Sequence, residues 1–173
     1  MQLQIGQATE VLAQTPAVLR ALLQNKSAAW LHCRATPYSF SPIDVLGHLI
    51  HGELTDWIPR VRIVLECGET RPFEPFDRFA FQPHIAGKQV EDLLDRFAQL
   101  RLQSLEALRA LAVSERQLDL RGAHPELGPV TLSHLLAAWA VHDLSHIAQI
   151  ATTMAREYRD AVGPWKAYIG ILA

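Results

Sequence analysis

The sequence predicts an all-α protein folded as a four-helix bundle. Four long stretches repeat their apolar residues at helical spacing, Thr-Pro and Ser-Pro pairs open two of them, and no stretch alternates convincingly as a strand would. The 173 residues suit one domain, spanning 1–173, and 49% hydrophobic residues against 20% charged ones supply a packed core.

The first helix is expected over 15–25. Thr15-Pro16 fits a cap followed by a first-turn proline, and Val18, Leu19, Leu22 and Leu23 repeat on one face; residues before Thr15 add a further turn or two. The second is expected over 41–66. Ser41-Pro42 repeats the opening signal, Asp44 stands where a capping-box carboxylate belongs, and Pro59 should kink the helix or end it early. The third, over 88–113, buries Val90, Leu93, Leu94, Phe97, Leu100, Leu105, Leu108 and Leu111. The fourth, over 131–158, is capped by Thr131 or Ser133, and after Gly163-Pro164 a short closing helix is expected over 165–172. The connection 67–87 is long enough to cross the length of a bundle. The connection 114–130, with His124-Pro125-Glu126-Leu127-Gly128-Pro129, holds at most a short hairpin.

Charge and cysteine content narrow the function. Sixteen Lys and Arg against 18 Asp and Glu give a formal charge of −2, with no basic excess to grip phosphates, so no nucleic-acid partner is expected. No run reaches the roughly 18–20 apolar residues of a membrane span. Met1 to Gln7 lacks the pattern of a signal peptide, so no membrane and a cytoplasmic location are expected. Cys33 and Cys67 read as reduced thiols.

The eight histidines are many for this length, and three of them carry the functional signal. His142-Asp143-Leu144-Ser145-His146 places two imidazoles one turn apart on one helix face. Leu135, Ala138, Trp139, Gln149, Ile150 and Thr153 share that stripe, so both rings should point into the bundle. Buried neutral imidazoles need partners: either a metal ion or facing carbonyls and carboxylates, and spacing alone favours the hydrogen-bonded reading. A third ligand has to come from another helix, and His48, on a segment with Val45, Leu46, Leu49 and Trp57, is the candidate. Three imidazoles leave open positions on an ion, which suits catalysis or ligand binding better than a structural staple. They favour zinc, nickel, iron or copper over magnesium or calcium. Asp143 stands where the HExxH motif has glutamate, against a zincin-type protease.

At these residues the chain resembles the DinB/YfiT-like superfamily. The resemblance rests on Val45-Leu46-Gly47-His48-Leu49-Ile50-His51-Gly52-Glu53 and on His142 through Ile150. The segment from His124 to Leu135 and the tail from Tyr158 to Tyr168 add to it. It implies an up-down-down-up four-helix bundle with a long crossover between the second and third helices. It also implies a divalent metal ion, zinc or nickel first, held by His48, His142 and His146, and often a homodimer. Related branches include transferases using low-molecular-weight thiols such as bacillithiol or mycothiol.

Further residues are candidate pocket or supporting groups, each with a plainer reading that spacing favours. His51 is an accessory ligand or a rim histidine; Glu53 completes the metal shell or ion-pairs on a helix surface. Asp143 orients another group or is an exposed or capping carboxylate, and Gln149 hydrogen-bonds a ligand or only packs. Trp57 and Arg60 flank the pocket, with Arg60 gripping a carboxylate or forming a solvent salt bridge. His134 reads as a cap, His32, His84 and His124 as surface loop residues, and Trp139, Trp165 and Tyr168 as core or interface aromatics.

The function expected is a metal-dependent enzyme acting on a small molecule. Its open positions would activate water or a low-molecular-weight thiol, giving a hydrolase or a thiol S-transferase. No catalytic side chain is assigned, because no Ser or Cys stands beside a base. The alternatives are a non-catalytic metal-dependent small-molecule binding or stress-response protein, and a bundle whose histidines are merely hydrogen-bonded.

Overall fold

The computed structural model describes residues 3–172; Met1 and Gln2, the start of the N-terminal segment read above, and Ala173 lie outside them. The elements are α1 (Ile5–Leu23), α2 (Ala28–Leu31), α3 (Pro42–Thr55), α4 (Trp57–Glu66), α5 (Gln82–Ile85), α6 (Val90–Ala110), β1 (Arg121–His124), β2 (Gly128–Thr131) and α7 (Leu132–Arg156). The four rods of the bundle are α1, α3 continued by α4, α6 and α7, in up-down-down-up order.

Helix α1 starts ten residues earlier than Thr15, and Thr15 is not its cap. The Thr15 hydroxyl instead donates to the Val11 carbonyl at 3.2 Å, and Pro16 sits mid-helix. The apolar repeat Ala8, Leu12, Leu19 and Leu23 continues through both residues and overrides the local signal. The cap predicted at Ser41 is present. Its Oγ accepts from the Asp44 backbone N–H at 3.3 Å, while Asp44 Oδ2 accepts from the Ser41 N–H at 2.9 Å.

The second rod breaks at Asp56 rather than at Pro59. Restarting at Trp57 puts Pro59 in a new first turn, where its missing N–H would have had no helical partner. Helix α7 opens on Thr131, whose Oγ1 accepts from the His134 backbone N–H at 3.1 Å, so His134 does serve the cap. The third rod is trimmed to Val90–Ala110, and the closing segment is two 3₁₀ turns, Gly163–Tyr168 and Gly170–Leu172, rather than one helix. Trp165 and Tyr168 are exposed there, not core residues, and Ala138 is exposed on the outer side of α7.

The bundle interior forms two apolar clusters. One, around Leu19, Leu46, Leu49, Leu94, Phe97 and Ile150, lies between α1, α3, α6 and α7. The other, around Leu12, Trp57, Val61, Leu136 and Trp139, lies between α1, α4 and α7. The hairpin β1–β2 pairs antiparallel, Arg121 opposite Thr131 and His124 opposite Gly128. The crossover docks on it: the Phe73 N–H donates to the Ala123 carbonyl at 2.9 Å. Gly122 is required beneath that contact, since a Cβ there would meet the Phe73 ring at 2.7 Å. Crossover and hairpin together roof one end of the bundle. No helix among the described residues is long and apolar enough to cross a membrane.

Candidate metal centre

Under that roof α3 and α7 bring three histidines together. Nε2 of His142 lies 3.1 Å from Nε2 of His48 and 3.1 Å from Nε2 of His146. The three candidate donor atoms all fall within 4.8 Å of one another. Hydrogen bonding alone does not explain this. A neutral imidazole Nε2 carries either one hydrogen or one lone pair, so His142 can satisfy one of its two short contacts and not both. Three lone pairs directed at one point satisfy all of them. Nitrogens bound to one zinc at about 2.0–2.1 Å stand roughly 3.3 Å apart in tetrahedral geometry, close to the two contacts of His142.

The surroundings keep these rings neutral. Burial holds His48 at about 4, helped by the neighbouring His146 and partly offset by the Arg78 backbone. Burial and the adjacent His146 and His48 hold His142 at about 3. Burial also lowers His146, against the raising effect of Gln149. His146 Nδ1 donates to Gln149 Oε1 at 2.8 Å, which turns its Nε2 lone pair toward the cluster. Nδ1 of His48 and Nδ1 of His142 are buried without a hydrogen-bond partner.

The walls are aromatic. The ring of Phe76, from the crossover, meets His48 at 5.4 Å and His51 at 5.1 Å between centroids. Trp57 meets His142 edge-on at 5.1 Å and stacks on Trp139 at 5.7 Å. A cleft of about 290 Å³ opens onto His48 and His142 between Trp57, Phe76, Arg78 and His124. Asp56 and Arg60 line it too. Arg60 Nε lies 2.6 Å from Asp56 Oδ1, an ion pair too oblique to count as a hydrogen bond, and both side chains are buried. Arg60 is therefore not a solvent salt bridge, and its guanidinium also donates to the Glu74 carbonyl at 3.3 Å. Burial raises Asp56 to about 6, more than Arg60 lowers it.

Beneath the histidines lies a buried ion cluster centred on Arg101. Its Nε and Nη2 donate to Glu53 Oε1 at 3.1 and 2.8 Å. Nη1 and Nη2 donate to the two oxygens of Asp143 at 2.5 and 3.1 Å, and Nη1 also to the Leu12 carbonyl at 2.8 Å. Trp139 Nε1 donates to Glu53 Oε1 at 3.2 Å. Burial alone would lower the Arg101 pKa, but Glu53 and Asp143 hold it above its ordinary value.

Of the sequence-derived candidates, His48, His142, Trp57 and Arg60 line one cleft, His146 joins them through His142 and carries Gln149 behind it, and Glu53 and Asp143 pair with Arg101 in the interior. Asp143 is fully buried rather than an exposed or capping carboxylate, and Glu53 ion-pairs in the interior rather than on the surface. His51 is half-buried, packed on Phe76 with its ring 5.6 Å from His84. His84 and His124 are therefore not free surface loop residues: His84 sits on α5, and His124 sits on β1 and lines the cleft. Arg101, Asp56, Phe76 and Arg78 are the site residues that sequence reading passed over. For Arg101 a signal existed, because it follows Leu94 and Phe97 and precedes Ser104 and Leu108 on one buried stripe.

A model of the DinB superfamily matches residues 12–150, which takes in all three histidines. The chain belongs to the DinB superfamily. Among solved structures, this DinB protein is similar to YfiT from Bacillus subtilis, described as a probable metal-dependent hydrolase with an unusual four-helix bundle topology. The TM-score is 0.75 at 22% identity, over 89% of this chain and 87% of that one. That likeness supports the bundle topology. No curated protein matches this DinB chain.

Proposed function

We propose that this protein is a metal-dependent enzyme acting on a small molecule, with a divalent ion held by His48, His142 and His146 and hydrolysis as its reaction. The observation that carries the reading is the pair of 3.1 Å contacts at one His142 nitrogen, which a single ring nitrogen cannot satisfy by hydrogen bonding. The description of YfiT as a probable metal-dependent hydrolase supports it. Neutral imidazole donors favour zinc or nickel. Bound there, such an ion would lower the pKa of a water or a thiol beside it, supplying hydroxide or thiolate near neutral pH.

The chain's own residues supply the rest. Gln149 orients His146, and Trp57 and Phe76 wall a cleft of about 290 Å³ that suits a small substrate. Asp56, held at about 6 at the cleft wall, is placed to take or give a proton at its carboxyl oxygens. The reading also keeps a low-molecular-weight thiol as an alternative nucleophile. The proposal includes a homodimer in the cytoplasm, supported by exposed Val141 and Leu144 on α7 and by two free cysteines.

Metal-loaded protein assayed against a panel of small esters, amides and electrophiles, with and without added thiol, tests the proposal. Turnover abolished by His142→Ala is expected. Turnover that persists after chelation, or metal-loaded protein that retains a ligand without converting anything in the panel, contradicts it.

A further inference from the structure

We propose that Arg101 is a positioning residue for the histidine cluster: it clamps Glu53 of α3 to Asp143 of α7 and so holds His48 against His142 and His146. The inference rests on the reading of that cluster as a metal centre and extends it to a third helix. None of the hydrogen bonds of Arg101 goes to an imidazole; it acts through the two helices that carry them.

Three observations support it. First, the guanidinium has five N–H groups and makes five contacts, spread over α1, α3 and α7. A lysine, with three donors and no planar fork, cannot reproduce them. Second, the clamp grips each ligand-bearing helix close to its ligand: Asp143 follows His142 directly, and Glu53 lies within two turns of His48. Third, two carboxylates face one guanidinium, a formal sum of −1, with side-chain exposures of 1% for Arg101 and 0% for both acids. Glu53 Oε2 has no hydrogen-bond partner at all. Buried ion networks are often no more stabilising than apolar packing of the same volume. A cation in the adjacent imidazole cluster would balance the surplus charge of this one.

The test compares the wild type with Arg101→Lys and Asp143→Asn. Zn²⁺ affinity is measured by competition with a chelator, Co²⁺ coordination by its visible bands, and the unfolding of metal-free protein separately. Weaker Zn²⁺ binding by about ten- to a hundred-fold, with altered Co²⁺ bands, is expected in both variants. Asp143→Asn preserves volume and one acceptor, so it carries the test alone if Arg101→Lys does not fold. Folded variants that lose stability yet keep wild-type Zn²⁺ affinity and Co²⁺ bands would reduce Arg101 to a structural residue and leave the metal reading intact. A wild type that takes up neither ion would overturn the metal reading and this inference with it.

Discussion

Nε2 of His48 and Nε2 of His142 stand 3.1 Å apart although 94 residues separate them in the chain. The Ser41 cap starts the helix that carries His48, the Thr131 cap starts the one that carries His142, and Arg101 ion-pairs with Glu53 of the first and Asp143 of the second.

Acid should destabilise the metal-free protein. The folded chain keeps His48 near 4 and His142 near 3, whereas an exposed imidazole titrates at 6.5. Between those values the unfolded chain binds more protons, so their stabilising contribution is complete above pH 6.5 and is lost as the pH falls toward 4. Asp56 works the other way. Its folded value of about 6 lies above the ordinary 3.8, so its contribution is present below 3.8 and lost as the pH rises through 6. His146, also lowered by burial, adds to the two imidazoles, and together they outweigh the single carboxyl, so stability falls as the pH drops below 7. Urea midpoints taken with a chelator at pH 7, 6 and 5 should decrease in that order; constant or increasing midpoints would be at odds with neutral buried rings.

Gly47→Ala should destabilise the protein, against the usual trend for a helix. Alanine normally gains roughly 0.5–1 kcal/mol over glycine in a helix interior. Here the new Cβ would stand 2.5 Å from Ile85 Cγ2 and 2.9 Å from Phe81 Cδ2, so the packing of Phe81 and α5 against α3 would have to shift beside His48. Overpacking of this kind costs about 1–3 kcal/mol. Chemical denaturation checks the sign, and a more stable variant would mean that α5 moves without resistance.

Gln149→Leu should weaken metal binding without unfolding the bundle. The amide accepts the only hydrogen bond of His146 Nδ1, and losing it frees the ring to rotate and change tautomer. Loss of such an outer partner typically reduces metal affinity about 10- to 100-fold. Zn²⁺ titration gives the answer, and an unchanged affinity would show that packing alone orients His146.

Much of this was legible in the sequence. Four apolar periodicities gave the rods, Ser41-Pro42 with Asp44 gave one cap, and histidines four apart on a buried stripe gave half of the site. What stayed hidden depends on contacts between helices. Thr15-Pro16 looks like a helix start until the apolar face on both sides is buried, and Pro59 marks a break without showing that the chain yields three residues earlier. Glu53 and Asp143 each read as surface or capping charges when taken singly, and the α6 stripe shows only that Arg101 is buried; the pairing across α3, α6 and α7 that makes their burial tolerable leaves no local trace. Phe76 and Arg78 reach the cleft from an irregular crossover whose path no periodicity announces.

The most direct test of the central claim, that the three imidazoles share one ion, is anomalous diffraction at the metal edge from crystals of protein purified without an affinity tag. The account predicts a single strong peak about 2.0–2.1 Å from Nε2 of each of His48, His142 and His146. A map with no peak among them, and with the three rings hydrogen-bonded only to protein or water, would contradict it.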